Sequence, residues 1–222
     1  MTRKPNTKTP KTAPVRAGTN TKRKLIDAAH TLIWANSYTQ VSVDDICREA
    51  GVRKGSFYHF FPSKSDLAAA ALEDCWHECK DELDAFFAVK RDAKTQLKEI
   101  CRLILDEQKE SLASNGFVCG CPYALVAAEV AAGNTELHTR AEKMSELYCA
   151  YLERVLKNAA QNGLIEPKNL KRHAREMHTY IKGAMLFARL TNSLKPVGHE
   201  LELALLRLSG IGTAKARTPR KR

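Results

Sequence analysis

From Ser42 onward, apolar residues recur at helical spacing. Val43, Ile46, Cys47 and Ala50 form one stripe of a short helix. Ser42 can cap that helix, and Asp44 and Asp45 suit the positive end of its dipole. Ala50-Gly51-Val52 breaks it, with Gly51 free to take positive φ. Arg53 to Phe60 predicts a second short helix with Phe57, Phe60 and Phe61 on its buried side, and Pro62 stops it. Ser63-Lys64-Ser65-Asp66 reads as a capping-box-like start for a long helix, with Asp in place of the usual Glu.

Beyond Ser63 the 3.6-residue period continues almost unbroken. Leu72, Cys75, Trp76, Cys79, Leu83, Phe86 and Phe87 share one face of a helix over about 63–90, and Leu97, Ile100, Cys101, Ile104 and Leu105 line the next. Gly116 to Cys121 reads as a loop, and Pro122 to Ala132 as a short apolar helix ended by Gly133-Asn134. Leu137 to Val155 marks a seventh helix, closing near Asn162-Gly163. Residues 168–194 and 198–209 hold the last two. No strand pattern and no internal repeat is visible. The fold class is therefore all-α, with about nine helices.

The second short helix leaves Arg53, Lys54, Ser56, Tyr58 and His59 for solvent. Its N-terminus carries Arg53 and Lys54, the end that meets base edges in a helix-turn-helix. Arginine can bond guanine bidentately, and Ser56 can reach a base or a phosphate. Gly55 lets the backbone sit deep in a groove. Tyr58, His59 and Lys64 suit phosphate oxygens.

These residues resemble the TetR (tetracycline-repressor-like) family of transcriptional regulators. The likeness runs from about Lys22 to Leu72, through TKRKLIDAAHTLIW, SVDDI, AGVRKGSFYHFF and PSKSDL. It implies an N-terminal three-helix helix-turn-helix domain followed by a larger helical ligand-binding and dimerisation domain. It also implies a homodimer on a palindromic double-stranded DNA operator, usually as a repressor, with Ser42, Lys54, Ser56, Tyr58, His59 and Lys64 facing the DNA. Two departures stand out. Asn36-Ser37-Tyr38 replaces the glycine common in the turn after the first helix, and Arg53 stands where a small polar residue is frequent. The expected divisions are a disordered basic arm at 1–20, the helix-turn-helix domain at 21–67, the second domain at 68–212 and a disordered basic tail at 213–222.

Charge sharpens that division. Residues 1–24 hold eight basic and no acidic side chains, and 213–222 hold five more, so removing these thirteen from the net +11 leaves −2. The arm can anchor DNA by counterion release, roughly 0.9 ion per phosphate neutralised. The tail is equally readable as an anchor or a solubilising extension. No run reaches the roughly 18–20 apolar residues that span a bilayer, and no hydrophobic signal region opens the chain. The expectation is a soluble cytoplasmic protein without membrane contact. Seven cysteines in no regular framework suit a reducing compartment.

The resemblance implies that 168–194 and 198–209 pair with their mates in a four-helix interface, where Gly183, Ala184 and Ala188 would let backbones approach. It also implies an inducer pocket in the second domain. Trp76, Cys101, Leu105, Tyr148, Tyr151, Met177 and Phe187 are its candidate lining, a mix suited to an apolar or polarisable ligand with few hydrogen bonds. Each is also a natural core residue.

The cysteines add a second possibility. Cys75 and Cys79 share a helix face and could meet one electrophile or a soft metal, or simply fill the core. In Cys119-Gly120-Cys121-Pro122, Cys121 is placed to cap the short helix, where the dipole favours a reactive thiolate, with Cys119 as a resolving thiol. GFVCGCPYALVAAE loosely resembles the same loop in electrophile-sensing members of the family. The effector is thus a small apolar molecule or an electrophile, with a soft metal as a third choice. No specific metal site and no cofactor is called for.

Along the long helix, Cys75, Trp76 and Cys79 lie roughly 17–22 Å beyond Lys64, at 1.5 Å per residue. A ligand there could tilt the DNA end, and a coupling of about 1–3 kcal/mol changes operator affinity some 5–150-fold. An enzyme is not expected: there is no glycine-rich phosphate loop after a strand, no nucleophile elbow and no His-Glu metal motif. A non-specific architectural DNA-binding protein relying on its tails is the other rival.

Overall fold

In the computed structural model, residues 17–130 and 135–211 are described, and among them there is no strand. Helix α1 (Ala17–Ala35) packs on α2 (Val43–Ala50), on α3 (Lys54–Phe60) and on the start of α4 (Lys64–Ala88). Leu25, Ala29, Ile33, Ile46, Phe57, Phe61 and Leu67 close this first core. Fully burying each large side chain contributes about 1.5–3 kcal/mol.

Local chemistry sets the boundaries. The Ser42 hydroxyl accepts from the Asp45 N–H at 3.1 Å, and the Asp45 carboxylate accepts from the Ser42 N–H at 3.0 Å, completing a capping box. Gly51 ends α2 in the left-handed region at φ 63°. Its N–H bonds Arg48 O and the Val52 N–H bonds Cys47 O, a Schellman closure. Phe61 is extended at φ −135°, Pro62 follows, and Ser63 caps α4 by accepting from the Asp66 N–H at 3.2 Å.

The second unit holds α5 (Ala93–Asn115), α6 (Pro122–Glu129), α7 (Thr135–Gln161), α8 (Leu170–Thr191) and α9 (His199–Ser209). Helix α7 is its centre and packs on α4, α5, α6 and α8, while α9 packs on α5 and α8. Helices α4 and α5 lean on α7 more than on each other, which leaves the space described below. Leu97, Leu152, Leu156, Met177, Leu201 and Leu205 form its fully buried centre.

The all-α expectation holds, and the helix-turn-helix elements fall within a residue or two of their predicted limits. Helix α1 begins at Ala17, inside the stretch expected to be a disordered arm, because extending a nucleated helix costs little per residue. The rest of that arm and the tail at 213–222 lie outside the described residues. The sixth helix stops at Glu129 rather than at Ala132.

Replacing Ser42 with Ala removes one half of the capping box. The expected cost is about 1 kcal/mol, or a midpoint drop of roughly 2–4 °C in thermal unfolding followed by circular dichroism. An unchanged midpoint would show that the cap contributes nothing to the fold.

Candidate functional site

One face of the first unit gathers most of the residues singled out for nucleic acid. Arg53 is the extended N-cap of α3, and Lys54, Gly55, Tyr58 and His59 are exposed on it, with Ser56 half-buried. Tyr58 is 52% exposed, its ring held edge-on against buried Phe57 at 5.1 Å. His59 sits edge-on to Phe60 at 4.8 Å. Lys54 is 2.9 Å from Asp44 of α2, an exposed pair that phosphate can replace at little cost. At Gly55 an added Cβ would meet nothing within 4 Å, so the face is open there. Ser42 is exposed, with its hydroxyl engaged in the cap.

Lys64 is placed differently. Its ammonium donates to Tyr38 O at 2.8 Å and Val41 O at 3.0 Å and lies 4.3 Å over the Tyr38 ring. Burial holds its pKa below the ordinary lysine value. It fastens the α1–α2 turn to α4.

Between α4, α5, α6, α7 and α8 lies a cavity of about 540 Å³. Of the seven residues expected to line it, Tyr148 and Tyr151 do. Trp76 stands behind Tyr148, edge-on at 4.8 Å. Cys101 and Met177 are core, Leu105 packs against the core from outside, and Phe187 is 56% exposed on the outer side of α8. Periodicity had identified apolar faces without saying which neighbour each face meets.

The lining is far more polar than expected. Six carboxylates (Glu78, Glu82, Glu99, Asp106, Glu107 and Glu110) face it against Arg102 and Lys182, so it disfavours an anion. Desolvation by its neighbours pushes the Glu107 pKa up to about 7, although the residue is exposed where it faces the cavity. Cavity water limits that desolvation. His178 is buried beside Tyr148, its pKa lowered to about 4 by desolvation and by Lys182, so the imidazole is neutral. Its Nε2 has no hydrogen-bond partner among the described residues. Glu107, Tyr123, His178, Lys182 and Met185 were not foreseen here. The available signal was His178 and Lys182, four apart, interrupting the apolar stripe of Met177, Ile181 and Met185.

Three of the four candidate thiols converge. Cys75, Cys79 and Cys121 all line the cavity, whereas Cys119 turns away and donates to Gln108 Oε1 at 3.4 Å. Burial strongly raises the pKa of Cys75 and lifts Cys79 and Cys119 to about 11, which keeps them protonated. The Tyr148 hydroxyl donates to Cys79 Sγ at 3.1 Å. Cys121 has a different neighbour: Lys182 Nζ is 2.9 Å from its sulfur and 5.0 Å from the Tyr148 ring centre. Cys121 is the N-cap of α6, with Pro122 following. All seven cysteines are free, and no group of three or more metal-ligating side chains is found among the described residues.

Residues 25–71 match the family described as bacterial regulatory proteins, tetR family, and residues 94–203 match the tetracyclin repressor-like C-terminal domain. The chain belongs to the TetR family. A Lactococcus lactis relative, the uncharacterized HTH-type transcriptional regulator in the lacX 3' region, is 25% identical over 197 residues, covering 87% of this chain and 95% of that protein. The HTH-type transcriptional repressor NemR of Escherichia coli (strain K12) is 23% identical over 189 residues, covering 82% and 90%. The crystal structure of the reduced form of E. coli NemR has a TM-score of 0.73 at 22% identity, covering 86% and 96%. A TetR-family structure from Agrobacterium tumefaciens has a TM-score of 0.75 at 22% identity, covering 86% and 98%. This TetR-family chain is therefore a transcriptional regulator with an N-terminal helix-turn-helix domain. No described helix is long and apolar enough to cross a membrane.

The raised Glu107 pKa has a pH signature. A carboxyl group whose folded pKa exceeds its unfolded value, about 4.3, costs stability as pH rises through that window toward about 7. Glu107→Gln is therefore expected to melt above the wild type at pH 8, with the gap narrowing as pH falls and closing below about pH 4. A gap that is constant with pH would remove the assignment.

Proposed function

We propose that this regulator is a repressor that binds a palindromic operator as a homodimer and leaves it when a small molecule fills the cavity. The observation that carries this reading is the double membership of α4. Leu67 and Ala71 of that helix are buried near its start, in the part that packs on α1, while Cys75 and Cys79 line the cavity. The distance between its Lys64 end and the cavity is set by helix rise, roughly 17–22 Å. Pressure on the far end must therefore turn or shift the near end.

Support for the homodimer comes from α8 and α9. Tyr180, Leu186, Phe187 and Leu190 of α8 and Leu203 of α9 are 40–78% exposed, an apolar stripe left uncovered by the described residues. Gly183 lies open among them. Pairing of residues 168–194 and 198–209 across a twofold axis would cover the stripe. Two α3 helices set about 34–36 Å apart would then read half-sites one turn apart. In this reading Ser42, Arg53, Lys54, Gly55, Ser56, Tyr58 and His59 meet the DNA, while Lys64 acts mainly by holding the turn. The protein acts in the cytoplasm, where its operator is.

The effector is a neutral or cationic molecule with an aromatic or apolar body, suited to Tyr123, Tyr148 and Met185 inside an acidic mouth. A second reading is favoured by one contact. With Lys182 Nζ 2.9 Å from Cys121 Sγ, an electrophile entering the cavity meets a sulfur that has a hydrogen-bond donor beside it. Cys121 is then the sensor, and Cys75 and Cys79 are cavity wall.

The test is fluorescence anisotropy on DNA flanking the protein's own gene, at moderate salt. Reduced protein is compared with protein given a mild thiol oxidant. Tight, sequence-preferring binding is expected, falling tenfold or more in Tyr58→Ala with the dimer and melting point intact. Lys64→Met is expected to lose both affinity and thermal stability. Sequence preference that vanishes at moderate salt would instead favour an architectural role. Reversible release on oxidation that disappears in Cys121→Ser selects the thiol reading, and release unaffected by that change eliminates it.

A further inference from the structure

The turn between α1 and α2 runs through Asn36-Ser37-Tyr38 and contains no glycine. It is tethered from three helices beyond α1 and α2, namely α4, α6 and α8. Arg189, near the end of α8, donates to Trp34 O at 3.0 Å and Asn36 O at 3.3 Å. The same guanidinium donates to Cys119 O at 2.8 Å. Glu129, the last residue of α6, accepts from the Thr39 N–H at 2.9 Å and from its hydroxyl at 3.1 Å.

These tethers share an origin. Helix α8 reaches the cavity through Lys182, two turns before Arg189, and α6 begins in it at Cys121. The intervening loop lies flat on α8 because Gly120 is at φ 74° and has no side chain. A Cβ there would come 3.2 Å from Arg189 Cβ and 3.3 Å from Met185 O. Gln108 holds Gly120 from the α5 side, accepting its N–H at 2.7 Å. Asn192 holds the same loop at the end of α8, accepting the Val118 N–H at 2.9 Å. Displacement of Cys121 therefore has few outlets other than the Cys119 carbonyl and the body of α6. Both lead to residues 34–39.

We propose that Arg189 and Glu129 are the coupling residues of this regulator, transmitting cavity occupancy to the helix-turn-helix through the α1–α2 turn, alongside α4. Arg189 clasps the cavity loop and the C-terminal carbonyls of α1 in one planar group, so the two cannot separate without breaking it. Glu129 carries the motion of α6 to Thr39, two residues before the Val41 carbonyl that Lys64 holds. This role presupposes the effector-released regulator proposed above.

Coupling is separable from binding, and that makes the proposal testable without the natural effector. Cys121→Trp serves as a fixed occupant of the cavity. Operator affinity is measured by anisotropy for the wild-type dimer, Cys121→Trp, Arg189→Met and the double variant, each checked for melting point and dimer state. Cys121→Trp is expected to weaken operator binding tenfold or more with Arg189 present, and by a factor at least about threefold smaller in the Arg189→Met background, where α4 still transmits. Glu129→Ala is expected to reduce the coupling in the same way, and Glu129→Gln, which keeps a carbonyl acceptor, to retain most of it. An equal loss from Cys121→Trp in both backgrounds overturns the clasp and leaves the repressor reading standing. No loss in the wild-type background overturns the cavity control itself, and the clasp with it. If Cys121→Trp does not fold, Leu103→Trp at the cavity wall takes its place. Amide hydrogen exchange gives an independent reading. Residues 36–41 are expected to exchange faster in Arg189→Met with α9 unchanged, and unaltered exchange at 36–41 counts against the clasp.

Discussion

The continuity of α4 is the constraint on which the rest depends. A helix of 25 residues is closed by its own backbone hydrogen bonds, and it neither stretches nor bends cheaply in mid-course. Its first turns carry Leu67, Ala68 and Ala71 into buried positions beside α1, and its later turns carry Trp76, Leu83 and Phe87 into the core around α7. Two cores that share one rigid member cannot move independently. Tyr123 strengthens the link, because its hydroxyl donates to Leu72 O at 2.8 Å and so bolts the start of α6 to α4 at the junction. His30 does the same from α1, with its Nε2 2.7 Å from Ala71 O.

The cavity exists because α4 and α5 rest on α7 without closing on each other, and its polarity follows from that opening. Carboxylates such as Glu78, Glu82 and Glu110 are tolerated because they face a water-accessible mouth rather than a sealed interior. Deeper in, the charged forms become costly. His178 is neutral, and Cys75 and Cys79 are protonated. Lys182 is the cation within this zone, and it lies over the faces of Tyr123 and Tyr148, which stabilise it electrostatically. The geometry thus sorts four superficially similar thiols into one with an ammonium neighbour and three held as thiols by burial.

The helix-turn-helix was legible in the sequence because each of its determinants is local. The Ser42 cap, the left-handed Gly51, the stop at Pro62 and the Ser63 cap act within a few residues, and local rules describe them. The helices of the second unit were legible for the same reason. Its cavity was not, because the lining joins residues from Cys75 to Met185 and no local pattern reports such convergence. Met177 and Phe187 show the difficulty. Helix α8 has two apolar faces, one packed inward through Met177, Ile181 and Met185 and one turned outward through Leu186, Phe187 and Leu190. Spacing alone assigns both to burial. Lys64 shows the opposite case: a lysine at a helix start suits a phosphate, and here it is held by two carbonyls of the preceding turn, which no local pattern reports.

Those carbonyls explain why the α1–α2 turn attracts so many cations and donors. A helix C-terminus presents acceptors that its own ladder cannot satisfy, and the turn after α1 presents several more. A glycine in the left-handed region would let the chain double back and satisfy some of them internally. With Asn36-Ser37-Tyr38 in that place, part of the satisfaction is local, with the Asn36 N–H and Nδ2 donating to Leu32 O and the Val41 N–H to Ser37 O, and part comes from Arg189 at residues 34 and 36 and Lys64 at 38 and 41. Tertiary bonds thus add to the local ones. A turn closed by local bonds alone would be indifferent to the second unit, whereas the carbonyls of this one are also held from α4 and α8. The turn is therefore where the DNA-binding unit and the second unit share hydrogen bonds.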